Sequence, residues 1–334
     1  MDVFDFIISE FKPIYLNSEE FFYNDMESQS GYSLPIIYKP FDPENIFHWA
    51  DRGALFDFMY SISNVEEKKL LDFGPGDGWP SLIIAPYAKE IVGVDASQKR
   101  IEVCRKNSEK LGFKNTNFIT YKNGEKLPFG NDIFDGIIAS SSIEQTPNPK
   151  ETLKELYRVL KPGGKLRFGY EALNRYKNGQ ENDIWISVIN DSKIKIFLYD
   201  RRIEEEYALQ YSLTLKINKE AFFSYFEKCK EITFNMFSVE LIQRLKPFIL
   251  KVFVCKLYHP SGKTFINWLK EIGFQSVFPS HKGNYFAAKL FESYSKNITL
   301  KTMEEVDELI KLPIKTVINL EAPMEIDPWI TAIK

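Results

Sequence analysis

The stretch LLDFGPGDGWPSL, residues 70–82, decides the fold. Leu70 to Phe73 form a short apolar run suited to a buried parallel strand, and three glycines spaced by two, Gly74, Gly76 and Gly78, follow it before a helix start near Pro80. Such a turn offers backbone rather than side chain. Glycine takes φ values that other residues avoid and lets a ligand approach the main chain closely, while a helix start presents unpaired N–H groups. A nucleotide-like ligand fits this arrangement. A dinucleotide-binding turn would put its third glycine three positions after the second, where Trp79 stands, and no GxxxxGK[ST] run is present. The spacing is instead D-x-G-x-G-x-G, opened by Asp72.

Outward from this turn the alternation continues. Ile91 to Val94, Phe118 to Tyr121, Ile133 to Ala139 and Lys165 to Tyr170 are further short apolar runs, each of buried-strand length, with helical spacing between them. Ser97 reads as an N-cap, Ile101, Cys104 and Leu111 share one helix face, and Gly112 stops that helix. A later helix has Pro149 in its first turn and Leu153, Leu156 and Leu160 at helical spacing, and Lys161-Pro162-Gly163-Gly164 ends it. The fold class expected is α/β, with a parallel sheet flanked by helices.

With IVGVDAS (residues 91–97), NGEKLPFGNDIFD (123–135), FDGIIASSSIEQ (134–145) and ELYRVLKPGGKL (155–166), the glycine motif resembles the class I S-adenosylmethionine-dependent methyltransferases, in their small-molecule subgroup, over roughly residues 68–171. The resemblance implies a Rossmann-like seven-stranded methyltransferase sheet, with S-adenosyl-L-methionine as cofactor and S-adenosyl-L-homocysteine as product. It implies that the turn Gly74, Pro75, Gly76 and Gly78 passes beneath the methionine portion and the ribose. Asp72 would be oriented toward the cofactor's amino group, and Asp95, followed by Ala96, would accept hydrogen bonds from the ribose hydroxyls. Asn123 stands where relatives carry an acidic residue for the adenine amino group, so that contact falls on Asn123, Gly124 or Glu125. Ser140 is implied as a cofactor contact beside the methionine moiety. Where many relatives have His, this chain has Gln145, so no catalytic base is carried over.

Four segments are expected: a helical and aromatic cap over 1–62, a cofactor-binding core over 63–171, an inserted α+β lid lobe over 172–262, and completion of the sheet with a tail over 263–334. The cap contains Phe21, Phe22, Tyr23, Tyr32, Tyr38, Phe41, Phe47 and Trp49, expected across the mouth of the sheet. The lobe follows from alternation at Ile184, Ile186 and Val188 and at Leu213, Leu215 and Ile217. After the helix Thr264 to Ile272, the runs Phe274 to Phe278 and Tyr285 to Leu290 are expected to form an antiparallel hairpin. The last segment is expected to hold a charged helix near Met303 to Leu312 and two strand-like runs, Thr316 to Leu320 and Trp329 to Ile333, with its place in the sheet left open.

Composition narrows the function. Hydrophobic residues make up 44% and charged residues 27%, as in ordinary globular proteins. Lys plus Arg number 43 against 46 Asp plus Glu, and residues 172–262 hold 14 against 11, so no surface built for a polyanion is expected and nucleic acid is disfavoured. A small-molecule acceptor is the expected partner; a protein or RNA acceptor and a noncatalytic cofactor-binding module are the rival readings. Asp2 and Asp5 stand where a secretory signal would carry Lys or Arg, and no apolar run reaches membrane-spanning length, so a cytoplasmic protein is expected. Cys104, Cys229 and Cys255 are far apart without a CxxC, so neither disulfide nor metal is expected, and His48, His259 and His281 read as structural or surface residues. Trp79 directly follows the turn and is a candidate wall of the cofactor site.

Overall fold

A computed structural model describes residues 1–16, 34–173, 184–226, 232–294 and 300–334. The chain divides into two compact units, Met1–Phe22 with Ala172–Ser261, and Tyr23–Glu171 with Gly262–Lys334.

The second of these is built on a seven-stranded sheet. Its strands are β1 (Lys69–Phe73), β2 (Glu90–Asp95), β3 (Thr116–Thr120), β4 (Phe134–Ser140), β5 (Leu160–Gly169), β6 (Ser276–Ser280) and β7 (Trp329–Ile333). They lie in the order β3-β2-β1-β4-β5-β7-β6, with β1 to β5 mutually parallel and β7 antiparallel to both its neighbours. In register, Leu70 lies opposite Ile91 on one side and Gly136 on the other, and Phe73 opposite Val94 and Ala139. Leu70, Leu71, Ile91, Val92, Ile137 and Ile138 are all buried, because helices cover both faces of a parallel sheet.

The helices follow from local signals. Ser97 accepts the Arg100 N–H and opens Gln98–Leu111, which Gly112 ends at a φ of 75°. Pro149–Val159 begins after Asn148 as N-cap and buries Leu153, Leu156 and Val159, each worth about 2 kcal/mol of apolar burial. Helix Ile46–Ile62 is tied to β5 by a buried ion pair: Arg167 Nε and Nη2 each lie 2.8 Å from an Asp57 carboxylate oxygen. Arg167 also donates to Ser280 Oγ, and Asp57 receives the Gly283 N–H, so both charges are saturated. Removing one partner of such a pair costs about 3–5 kcal/mol.

Two expectations for the C-terminal segment are corrected. The run Tyr285 to Leu290 lies within the helix Gly283–Tyr294, and β7 rather than a hairpin partner completes the sheet. That helix packs closely on Ile46–Ile62 because neither Gly53 nor Gly283 has a side chain; a Cβ on Gly53 would stand 2.5 Å from the Gly283 carbonyl oxygen. Thr316 and Val317 end the helix Met303–Val317, whose buried Val306, Ile310 and Ile314 face the same cluster as Trp49 and Phe56, so Thr316 to Leu320 is no strand.

The other unit is a five-stranded sheet in the order Ile14–Leu16, Ile249–Tyr258, Tyr207–Lys216, Lys193–Arg202, Ile184–Asn190, antiparallel except for the first pair. Ile194, Ile196, Leu198, Leu213, Leu215, Val252 and Val254 alternate onto one face and form a core with the helices Val3–Phe11, Lys219–Phe223 and Val239–Leu245. The N-terminal helix buries Val3, Phe6 and Ile7 in this core. The expected cap over 1–62 is therefore divided: its first helix needs an apolar face and finds it in this unit, while Ile46–Ile62 belongs to the parallel-sheet unit. Of its aromatics, Trp49 is buried and Phe47 exposed; Phe21, Phe22, Tyr23 and Tyr32, like Cys229, lie outside the described residues.

Candidate functional site

Strand order reverses at β1, whose neighbours β2 and β4 continue the chain in opposite directions across the sheet. Loops leaving the carboxyl ends of β1 and β4 therefore diverge and open a crevice, the usual place for a ligand in an open parallel sheet. The glycine turn occupies this point. Gly74 donates its N–H to Val94 O at 2.8 Å, Gly78 to Pro75 O at 2.9 Å, and Leu82 closes the turn onto Gly78 O at 2.7 Å. Gly74 has φ 76° and Gly78 φ 107°. A Cβ would stand 2.4 Å from Ser142 Cβ at the first and 2.4 Å from Leu82 Cδ1 at the second, so space as well as conformation excludes a side chain. Gly76 and Pro75 form the crest between them.

Asp72 is 0% exposed and spends Oδ2 on both the N–H and the hydroxyl of Ser81, fixing the start of the short helix Ser81–Ile84. Its Oδ1 is buried without a hydrogen-bond partner. Burial lifts the carboxyl to about 7, against the pull of Ser81. Asp95, at the end of β2, receives the Ser97 N–H at 2.9 Å. Burial also raises its pKa, while the amides of Ser97, Gly76 and Ala96 and the charge of Arg100 favour the carboxylate. Cys104 donates its thiol to Gly76 O from beneath the turn, and burial pushes that thiol well above its ordinary pKa. It supports the loop as a neutral side chain.

Beyond β3, Asn123 is buried and its Oδ1 accepts the Tyr121 hydroxyl at 3.2 Å. Gly124, at φ 78°, faces Pro147, and Glu125 is exposed in an ion pair with Lys122. Gly124 and Glu125 line a cleft of about 260 Å³ together with Phe73, Tyr121, Asn148 and Glu155. Ser140 ends β4, after which Ser142 donates to Phe73 O at 2.6 Å and locks the β4 loop against the glycine turn. Gln145 donates its side-chain amide to Ser141 O, a structural contact.

Two carboxylates at this edge escaped sequence reasoning. Glu144, in the loop after β4, is 2% exposed; Oε1 accepts the Glu171 N–H at 2.9 Å, and Oε2 has no partner. Burial, aided by the Glu171 charge, raises it to about 8. Asp51 lies on Ile46–Ile62 at helical spacing with Ala54, Leu55, Phe58 and Ile62, all buried. A carboxylate on an otherwise apolar stripe was the signal that could have marked it. Its Oδ2 and the indole Nε1 of Trp79 are both buried, and neither closes a hydrogen bond. Trp79 itself packs edge-on against Phe58, so its ring is part of the wall between this helix and the turn.

These residues suit an adenosyl ligand with an amino-acid end. The cradle at Gly74 and Gly78 is one that a Cβ would fill, and carboxylates with unspent oxygens stand around it. Among the described residues, no group of His, Cys, Asp and Glu could hold a metal ion, and no helix is long and apolar enough to cross a membrane.

Comparison with known proteins agrees with the geometry. Residues 71–168 match the family model described as "Methyltransferase domain". The chain is 32% identical over 111 residues to the ubiquinone/menaquinone biosynthesis C-methyltransferase UbiE of Wigglesworthia glossinidia brevipalpis, covering 32% of this chain and 44% of that one. It is 30% identical over 123 residues to 24-methylenesterol C-methyltransferase 2 of Arabidopsis thaliana, covering 36% and 34%. In both, the match spans less than half the relative's length. The crystal structure of an S-adenosylmethionine-dependent methyltransferase from Clostridium acetobutylicum ATCC 824 aligns with a TM-score of 0.47 at 13% identity, over 86% of this chain and 90% of that one. The segment 71–168, with its glycine cradle at the reversal of strand order, thus matches a methyltransferase domain and is similar to S-adenosylmethionine-dependent methyltransferases.

Proposed function

We propose that this chain is an enzyme that transfers a methyl group from S-adenosylmethionine to a small-molecule acceptor. The observation that carries the reading is the crowded glycine cradle at the switch point of the parallel sheet, next to a carboxylate at the end of β2. When bound, the cofactor supplies a methyl group activated by a sulfonium centre. Gly74, Pro75, Gly76 and Gly78 would give it backbone to lie against, and Asp95 beside Ala96 would accept from the ribose hydroxyls. Asn123, Gly124 and Glu125 would meet the adenine edge, and Ser140 would stand beside the methionine portion. In the same reading residues 63–171 hold the cofactor and residues 172–262 recognise the acceptor. Relatives named for ubiquinone/menaquinone biosynthesis and for 24-methylenesterol favour a small acceptor, as does the balanced charge.

The protein's contribution is alignment, since a well-oriented acceptor gains much of the acceleration from position alone. Saturating S-adenosylhomocysteine is expected to raise Tm by roughly 5 °C in the wild type and much less in Asp95→Ala, each compared with its own unliganded melt. A response to nicotinamide dinucleotides alone would sink the cofactor assignment. Label from S-adenosylmethionine, incubated with cell extract and traced into separated fractions, should enter the small-molecule fraction. Entry into protein or RNA would overturn the small-acceptor half of the reading.

A further inference from the structure

We infer that Asp51 is the residue that receives the α-ammonium group of the bound cofactor. The assignment rests on the S-adenosylmethionine reading above. An ammonium held in a crevice needs a carboxylate whose oxygen is not already spent. Four acidic residues surround the glycine turn, and of these Asp51 and Asp72 each keep a buried oxygen without a hydrogen-bond partner. Asp72 is sealed and holds Ser81 with Oδ2, so a ligand could reach it only through water at Oδ1. Asp95 is bound to the Ser97 amide and favoured by those of Gly76 and Ala96. Asp77 takes the Trp79 N–H at 3.3 Å, and although burial raises its pKa, that amide and the charges of Arg100 and Lys39 favour its carboxylate.

Asp51 differs. It comes from a separate helix, faces the residue that directly follows the turn, and presents a buried oxygen that no protein donor satisfies. The unsatisfied indole N–H of Trp79 lies close enough to favour the charged carboxylate without closing a hydrogen bond on it. An acid and a donor left incomplete side by side, in a chain whose Asp57 on the same helix is saturated by Arg167 and the Gly283 amide, mark a place reserved for a ligand. The Trp79 ring adds a surface that favours a cation. Burial lifts the Asp51 carboxyl to about 6; Asp77 pushes the same way, while Trp79, the Ile37 amide and Arg52 pull it down.

The test compares two ligands on the full chain by calorimetry. S-adenosylhomocysteine carries the amino-acid end; 5′-methylthioadenosine keeps adenine, ribose and thioether and lacks it. Asp51→Asn is expected to weaken S-adenosylhomocysteine about tenfold or more and to leave 5′-methylthioadenosine within about twofold, while Asp77→Asn does neither. Equal weakening of both ligands, no weakening of either, or the selective loss appearing in Asp77→Asn would overturn the assignment. A pH series on the wild type needs no variant. Below about pH 6 the free carboxyl holds a proton that an ammonium must displace, so S-adenosylhomocysteine should weaken by up to about tenfold per pH unit while 5′-methylthioadenosine stays flat. A flat profile for both would count against Asp51. Failure of the wild type to bind either ligand would instead overturn the cofactor reading on which the assignment stands.

Discussion

The two edges of the parallel sheet are built on different terms. At the amino edge, the charges have partners, though Lys165 has only neutral ones, and Gly163 sits in open space while its neighbour Gly164 is crowded. Asp135 meets the Lys161 ammonium at 2.6 Å and the Lys69 amide at 2.9 Å, and although burial opposes it, these partners hold its carboxyl below the ordinary value. Lys334 reaches Asp132, and Lys165 donates to Ser61 O and Ser63 Oγ. Gly163 has φ 75° with no atom within 4 Å of where a Cβ would be. At the carboxyl edge, Asp51, Asp72 and Glu144 all have raised pKa values and unsatisfied oxygens, and Gly74 and Gly78 are crowded. One sheet thus carries a stabilised edge and an edge that accepts cost. Burial without partners is tolerated where a ligand or a reaction can use it.

The sharpest way to break this contrast is to put the same methyl group on a glycine at each edge. Gly74→Ala meets Ser142 at 2.4 Å in a left-handed backbone, so it should lose about 3 kcal/mol in urea unfolding and abolish the thermal response to S-adenosylhomocysteine. Glu144→Gln probes the cost of the buried carboxyl. Because the folded state keeps its proton up to about pH 8 while an unfolded glutamate ionises near 4.5, stability falls as pH rises through that interval. The variant should therefore match the wild type near pH 4 and exceed it by about 2 kcal/mol near pH 6. An identical stability difference at both pH values would show that Glu144 is not held protonated. Gly163→Ala carries the smallest effect: about 1 kcal/mol for the left-handed conformation alone, with the ligand response intact. If Gly163→Ala impaired ligand binding as much as Gly74→Ala, the two edges would not differ in the way described.

Much of this arrangement is legible from residues alone. Runs such as Leu70 to Phe73 and Ile91 to Val94 announce buried strands because both their faces are covered, and the glycine spacing marks the crevice because backbone conformation is a local property. Tyr285 to Leu290 misleads because a short apolar run fits a strand or a helix equally, and the close approach of Gly283 to Gly53, far away in sequence, decides between them. Thr316 to Leu320 fails for a related reason: the helix Met303–Val317 runs through Pro313 instead of stopping there. Asp51 and Glu144 carry no motif. Their character comes from what surrounds them, and burial of a lone carboxylate is a tertiary property.

The placement of β7 bears on how the chain reaches this state. Ile330 pairs with Phe168, and the whole of Ala172–Ser261 lies between them in sequence. Until that return is made, β5 presents an unpaired strand edge able to recruit another chain. Contacts between such distant segments form slowly, so docking of β7 is the expected late event in refolding and the window in which aggregation competes. Nature has placed a reporter there: Trp329, buried and stacked on Phe58 at 5.1 Å, exchanges water for an aromatic neighbour only when the strand arrives, and its fluorescence should follow the slowest phase.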